Sequence, residues 1–245
     1  MRRRPNGLRA LLLAAAGGLV AMSSGCNILG FAASTLPPPI VEPAYEDLGG
    51  HTLGVIVWAT PEIDVSHPAL TRQIGKLVED RLVAARDGNK RTTRQSLEGM
   101  TIAYPARSYI RAFRDDPTLS TLTGEDLAAL AGAERVIYVQ ITQFTTRGGA
   151  AAGLVRGVAE VGIVVYEVED PLTTSEEASI AAADGGPPPG VEVFREQAIA
   201  FSFPEDGLEE GSQRLRPDTA YAGLVDVMAE GIVNRFIERP GEEPF

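Results

Sequence analysis

The sequence predicts an α/β (α+β) sandwich: a mixed sheet of about five strands in the order β-α-β-α-α-β-β-β-α, with helices packed on it. Three observations carry this. Short β-branched runs ended by turn residues read as buried strands. Stretches with apolar residues three and four apart read as amphipathic helices. The two kinds alternate through the first half of the chain and then give way to three consecutive strands before a closing helix, as in a mixed sheet with helices laid on it.

Leu53-Gly-Val-Ile-Val-Trp-Ala59 is an apolar run stopped by Thr60-Pro61, a buried strand in which Trp58 is expected to be core. Ser66 and Pro68 mark a helix start, and Leu70, Ile74, Leu77, Val78 and Leu82 then fall on one face. After the polar connection 87–95, Met100 to Tyr104 reads as a short strand. Pro105 opens a helix that turns Tyr109, Ile110 and Phe113 to one side. Thr123-Gly-Glu-Asp126 has the spacing of a capping box and introduces Leu127, Leu130 and Ala131, with Gly132 as a left-handed helix end. Val136 to Thr142 follows at once as a strand. Val155 to Val168 is a longer one, entered through a glycine-rich hairpin connection at 147–153. From Val191 to Phe203 the pattern alternates, with Val191, Val193, Ile199, Phe201 and Phe203 pointing one way. Arg195 and Gln197 interrupt it midway, at an edge or partner-facing spot. Asp218 caps a last helix carrying Tyr221, Leu224, Met228, Ile232 and Phe236. These elements make one domain over residues 48–239, with a mobile hairpin extension at 170–190 and a tail at 240–245.

Ahead of the domain lies a different kind of sequence. Arg2, Arg3, Arg4 and Arg9 precede an apolar run from Leu11 to Met22, the layout of a secretory signal peptide and too short to span a bilayer. The only cysteine, Cys26, comes directly after Ser23-Ser24-Gly25. Residues 26–47 contain Leu36-Pro-Pro-Pro-Ile-Val-Glu-Pro43, which reads as an extended, semi-rigid tether. The chain has 33 Asp and Glu against 22 Lys and Arg, a net charge of −11; removing the four leader arginines leaves −15. A body so acidic is a poor partner for nucleic acid, whose phosphates require clustered Lys and Arg. One cysteine excludes an internal disulfide framework, and two histidines leave little for imidazole catalysis or metal ligation.

The segment Ser23-Ser-Gly-Cys26 resembles a bacterial lipobox, with Ser23 where the pattern commonly has Leu. That resemblance implies a signal peptide over residues 1–25 and a mature protein beginning at Cys26. The Cys26 thiol would then carry a diacylglycerol whose acyl chains (palmitate and the like) hold the protein in a membrane, facing the periplasm. Asn27 in place of Asp slightly favours the outer membrane on the same resemblance. The element order over residues 50–238, with Leu127-Ala-Ala-Leu-Ala-Gly-Ala-Glu-Arg-Val-Ile-Tyr-Val-Gln-Ile141 leading from helix to strand, resembles the envelope domains of the TolB N-terminal type. The same shape recurs in the curli-secretion lipoprotein CsgG and the LpoB activators of peptidoglycan synthesis. The resemblance implies a non-catalytic docking or adaptor module in an envelope assembly or transport system, with neither enzyme activity nor cofactor. A CsgG-like channel subunit is the alternative. Its lipid-facing hairpins would need alternation over about 9–11 residues per strand, which 170–190 lacks.

No phosphate loop, Gly-x-Ser-x-Gly, His-Glu-x-x-His or Cys-x-x-Cys occurs. Glu62, Asp64 and His67, just beyond the first strand, are the weak candidates for a metal site and for a small metal-dependent envelope enzyme, because strand carboxyl ends often host ligands. The simpler reading has Asp64 and Ser66 capping the next helix. The acids at 205–206 and 209–210 read as a solvated turn. Neither the envelope partner nor the oligomeric state is encoded in any motif.

Overall fold

The computed structural model describes residues 40–88, 96–146, 156–169, 171, 190–204 and 217–240. Cys26, the leader and most of the tether therefore lie outside the described residues, as do the 147–153 connection, nearly all of 170–190 and the acidic turn at 205–210. The chain divides into a main unit, Glu42–Arg239, and a smaller one made of residues 1–41 and 240–245. The elements are β1 (Ile40–Val41), β2 (Thr52–Ala59), α1 (Pro61–Ser66), α2 (Leu70–Asp87), β3 (Thr101–Tyr104) and α3 (Ala106–Asp115). A 3₁₀ turn (Pro117–Thr121), α4 (Gly124–Leu130), β4 (Arg135–Thr145), β5 (Gly157–Glu167), β6 (Val191–Phe203), α5 (Pro217–Val233) and β7 (Arg239–Pro240) follow. β1 and β7 form a two-stranded sheet of their own; the five-stranded sheet has the order β3-β2-β4-β5-β6.

β2 lies between two parallel neighbours, β3 and β4, and from Leu53 to Val57 helices cover it on both faces. That is why its sequence is a continuous apolar run and not an alternating one. From β2 the chain crosses outward to β3 through α2, then back past β2 to β4 through α3 and α4. Right-handed crossovers taken in opposite directions put their helices on opposite faces. The two cores show this. On one face Ile74, Val78 and Leu82 of α2 and Leu224, Met228 and Ile232 of α5 pack on Val55, Val57, Val139 and Ile163. On the other, Tyr109 of α3 and Leu127 and Ala128 of α4 pack on Ile56, Val136 and Val164. The first face has helices of 18 and 17 residues; the second has 10 and 7, too short to cover the sheet.

The mixed sheet of five strands with helices on it is thus as expected, and so are two local details. Thr123 and Asp126 form a reciprocal capping box: the Asp126 N–H donates to Thr123 Oγ1 at 3.2 Å and the Thr123 N–H donates to Asp126 Oδ2 at 3.1 Å. Gly132 closes the segment at φ 62°, the left-handed region. Thr123→Ala should lower stability by about 1 kcal/mol, read as a fall in the denaturation midpoint.

Several local expectations are corrected. Ser66 and Pro68 do not start the long helix; Pro61 opens the separate short helix α1, and α2 begins at Leu70 with neither Asp64 nor Ser66 as its cap. Asp218 is within the first turn of α5 instead of before it, and Phe236 is buried but past the last helical residue. Leu130 is 47% exposed at the end of α4. The alternation in β6 breaks, because Gln197 and Ala198 together stand against the single residue Gly162, and a second register shift falls between Val165 and Tyr166. Parity is reset at each irregularity. Ile199, Phe201 and Phe203 reach the core, but Val191 (58%) and Val193 (39%) are exposed.

Candidate functional site at the carboxyl ends of the parallel strands

β2 runs straight into α1. The Thr60 N–H donates to the Ile141 carbonyl of β4 at 3.3 Å, and the Thr60 carbonyl accepts from Ile63 and Asp64, both at 3.0 Å. Pro61 at the first helical position suits this tight entry. Ile63 points inward, while Glu62, Asp64 and Val65, at 84% exposure, face water. Glu62 and Asp64 are two residues apart, about 200° around the helix, so they diverge. His67 ends α1 and turns inward. Its ring meets Phe144 of β4 edge-on at 4.9 Å and Tyr221 of α5 at 5.6 Å. Tyr221 in turn donates its hydroxyl to Gln73 Oε1 of α2 at 2.6 Å. His67 therefore pins the β2–α2 connection to β4 and α5, and the structure does not gather Glu62, Asp64 and His67 into one site. Among the described residues no group of three or more His, Cys, Asp and Glu is placed to hold a metal ion.

Trp58 is not core. It is half-buried, belongs to neither hydrophobic cluster and faces the short-helix side of the sheet beyond Ile56. In register with it stand Gln140 of β4 and Gly162 of β5, both partly exposed. This row begins the half of the face that α3 and α4 do not reach. Arg195 is paired with Glu192 on the same strand (Nε to Oε1, 2.8 Å), and Gln197 is exposed within the bulge.

At the opposite end of the sheet a polar cluster escaped sequence reasoning. Arg135, at the amino end of β4, is buried to 6% exposure. Its guanidinium donates to Asp47 Oδ2 at 2.7 Å and pairs with Glu167 Oε1 at 3.1 Å, and its Nε has no hydrogen-bond partner among the described residues. The Arg135 guanidinium holds the Asp47 carboxyl below its ordinary value. Glu134 accepts from the Thr52 N–H at 2.7 Å, which lowers its carboxyl likewise, and His51 lies 3.6 Å from Asp47 and 3.7 Å from Glu134. Around this cluster residues 44–48 are strapped down. The Ala44 and Tyr45 N–H groups donate to the Arg235 carbonyl at 2.8 and 3.1 Å, Tyr45 packs on Phe194, and Leu48 is buried. The only hint in the sequence is a charged residue opening an otherwise apolar strand. A recess at the start of β3, about 600 Å³, is lined by Arg86, whose guanidinium is already committed to Asp87 and the Met100 carbonyl.

Among the described residues the fold is therefore a helix–sheet–helix sandwich, with two long helices on one face and two short ones on the other. No family model matches the chain, and no curated protein matches it. Solved structures with slight likeness include a dodecamer of a PelC point variant from Paraburkholderia phytofirmans, at 9% identity over 80% of this chain and 94% of that one, with a TM-score of 0.34. Another is lipoprotein GNA1162 from Neisseria meningitidis, at 14% identity over 75% of this chain and 96% of that one, with a TM-score of 0.33. Likenesses this slight carry no argument about function.

Proposed function

We propose that this chain is an exported cell-envelope protein, anchored through acyl chains on Cys26 and facing the periplasm, whose α/β domain works as a non-catalytic docking or adaptor module. The basic leader, the short apolar run and the lone cysteine after Ser-Ser-Gly support export and anchoring. Among the described residues no helix is long and apolar enough to cross a membrane. Asn27 after the cysteine favours the outer membrane slightly over the inner.

The observation that carries the docking reading is where the chain joins the domain. The Asp47–Arg135 contact and the Ala44 and Tyr45 hydrogen bonds fix residues 44–48 at the amino ends of β2 and β4. At the other, carboxyl ends of these strands Val65 is exposed and, among the described residues, the short helices leave part of one sheet face uncovered, which supports a partner meeting the domain there. Photo-crosslinking residues at Val65 and Gln143 in intact cells should capture an envelope protein, and one at Asp80 on α2 should not. An unmodified Cys26 thiol on cytosolic protein with its leader intact would defeat the reading outright.

A further inference from the structure

The row Trp58–Gln140–Gly162 has features that the docking reading does not use. Trp58 is the only tryptophan in the chain, and its indole N–H has no partner among the described residues. Gly162 forms a floor beside it: a Cβ there would meet nothing closer than the Glu196 carbonyl oxygen at 3.8 Å and the Gln140 Cβ at 4.0 Å. Irregularities in the ladder bracket the row. Thr142 falls at the shift between Ile141 and Gln143 in β4, and Gln197–Ala198 bulges from β6 directly against Gly162. Ala198 has φ 57°, the one non-glycine residue with positive φ among the described residues. Bulges and left-handed non-glycine residues collect where a side chain must be re-aimed at a ligand.

We propose that this notch is a binding site for a neutral saccharide. β4 and β5 are interior strands, so away from the irregular positions Thr142 and Gln197–Ala198 a ligand on this face is held by side chains. Those side chains offer an indole face and uncharged hydrogen-bonding groups at Gln140 and Gln197. Glu160, two residues from Gly162 along β5, accepts from Thr142 Oγ1 at 3.0 Å. The row itself carries no charge, although the chain as a whole is at −11. The cation nearest along β6 on this face, Arg195, is already paired with Glu192, so an anionic ligand would have to break that pair, whereas an uncharged one need not. A pyranose ring has the complementary chemistry, with an axial C–H face for the indole and a rim of hydroxyls for the amides. The site works whether or not Cys26 is acylated.

Because Trp58 is the sole indole, its fluorescence reports on this site alone. The full-length protein in detergent is titrated with chitotetraose, cellotetraose and maltotetraose to about 10 mM. A saturable emission shift with at least one of them is expected. In Gly162→Val, which fills the notch with a residue suited to a strand, the affinity should fall about tenfold or more with no loss of thermal stability. Gln140→Ala, read by calorimetry, serves the same purpose if Gly162→Val does not fold. No response to any of the three sugars, or an unchanged response in the notch variants, overturns the proposal.

Discussion

Gly231→Ala should destabilise the domain by roughly 1–3 kcal/mol, although alanine is the better helix former by about 1 kcal/mol. The reason lies across the interface. Gly231 sits in α5 where the Phe201 ring of β6 rests on the helix backbone, and a Cβ there would lie 2.2 Å from Phe201 Cε1. Gly223, two turns earlier, receives Phe203 in the same way at 2.3 Å. A rigid ring held between strand and helix cannot yield that much without separating the two. Urea denaturation checks this, and so does rescue. Phe201→Leu in the Gly231→Ala background should recover part of the loss, a coupling of about 0.5–3 kcal/mol. Strict additivity of the two single effects would refute the packing explanation.

Arg135→Ala should cost about 3 kcal/mol, at the low end for breaking a buried ion pair, because the Asp47 and Glu167 carboxylates left behind are partly exposed and can hydrate. Arg135→Met should cost less, since it keeps the packed stem and removes the burden of a buried charge. The two variants also differ from the wild type in acid. Asp47 has a depressed folded-state pKa, so its contribution is complete above its ordinary value near 3.8 and is lost as pH falls through the lower folded-state value. Stability measured across that range should decline in the wild type, and that part of the decline should vanish in Arg135→Met. An identical acid profile in both would mean that the Asp47–Arg135 contact holds nothing down. Loosening of residues 44–48, seen as faster amide exchange at Ala44 and Tyr45, should accompany either substitution.

Local chemistry made much of this protein legible in advance. A short apolar run rich in β-branched residues and stopped by Thr60-Pro61 reads as a buried strand, and Leu53–Ala59 lies in one between two parallel neighbours. The capping box at Thr123–Asp126 and the left-handed Gly132 depend only on residues within a few positions of one another, and both form as read. The candidate site was less legible. Glu62, Asp64 and His67 are neighbours in sequence, but a short helix opened by Pro61 turns the two acids to water and draws the imidazole against Phe144 and Tyr221. Trp58 was expected in the core because its neighbours are, and nothing in its own segment tells that the helices over that face are too short to reach it.

The sequence by itself determined the element order, the buried first strand of the domain, the amphipathic face of α2 and the signals that point to export and an anchored cysteine. These are written in spacing along the chain, where period and cap chemistry act over a turn or two. Only the tertiary structure decided which half of one sheet face α3 and α4 leave uncovered, where β6 resets its parity against Gly162, why two glycines occupy α5, and that Arg135 ties down residues 44–48. Each of those rests on contacts between residues tens of positions apart, and such contacts exist only once opposite crossovers have set long helices on one face and short ones on the other.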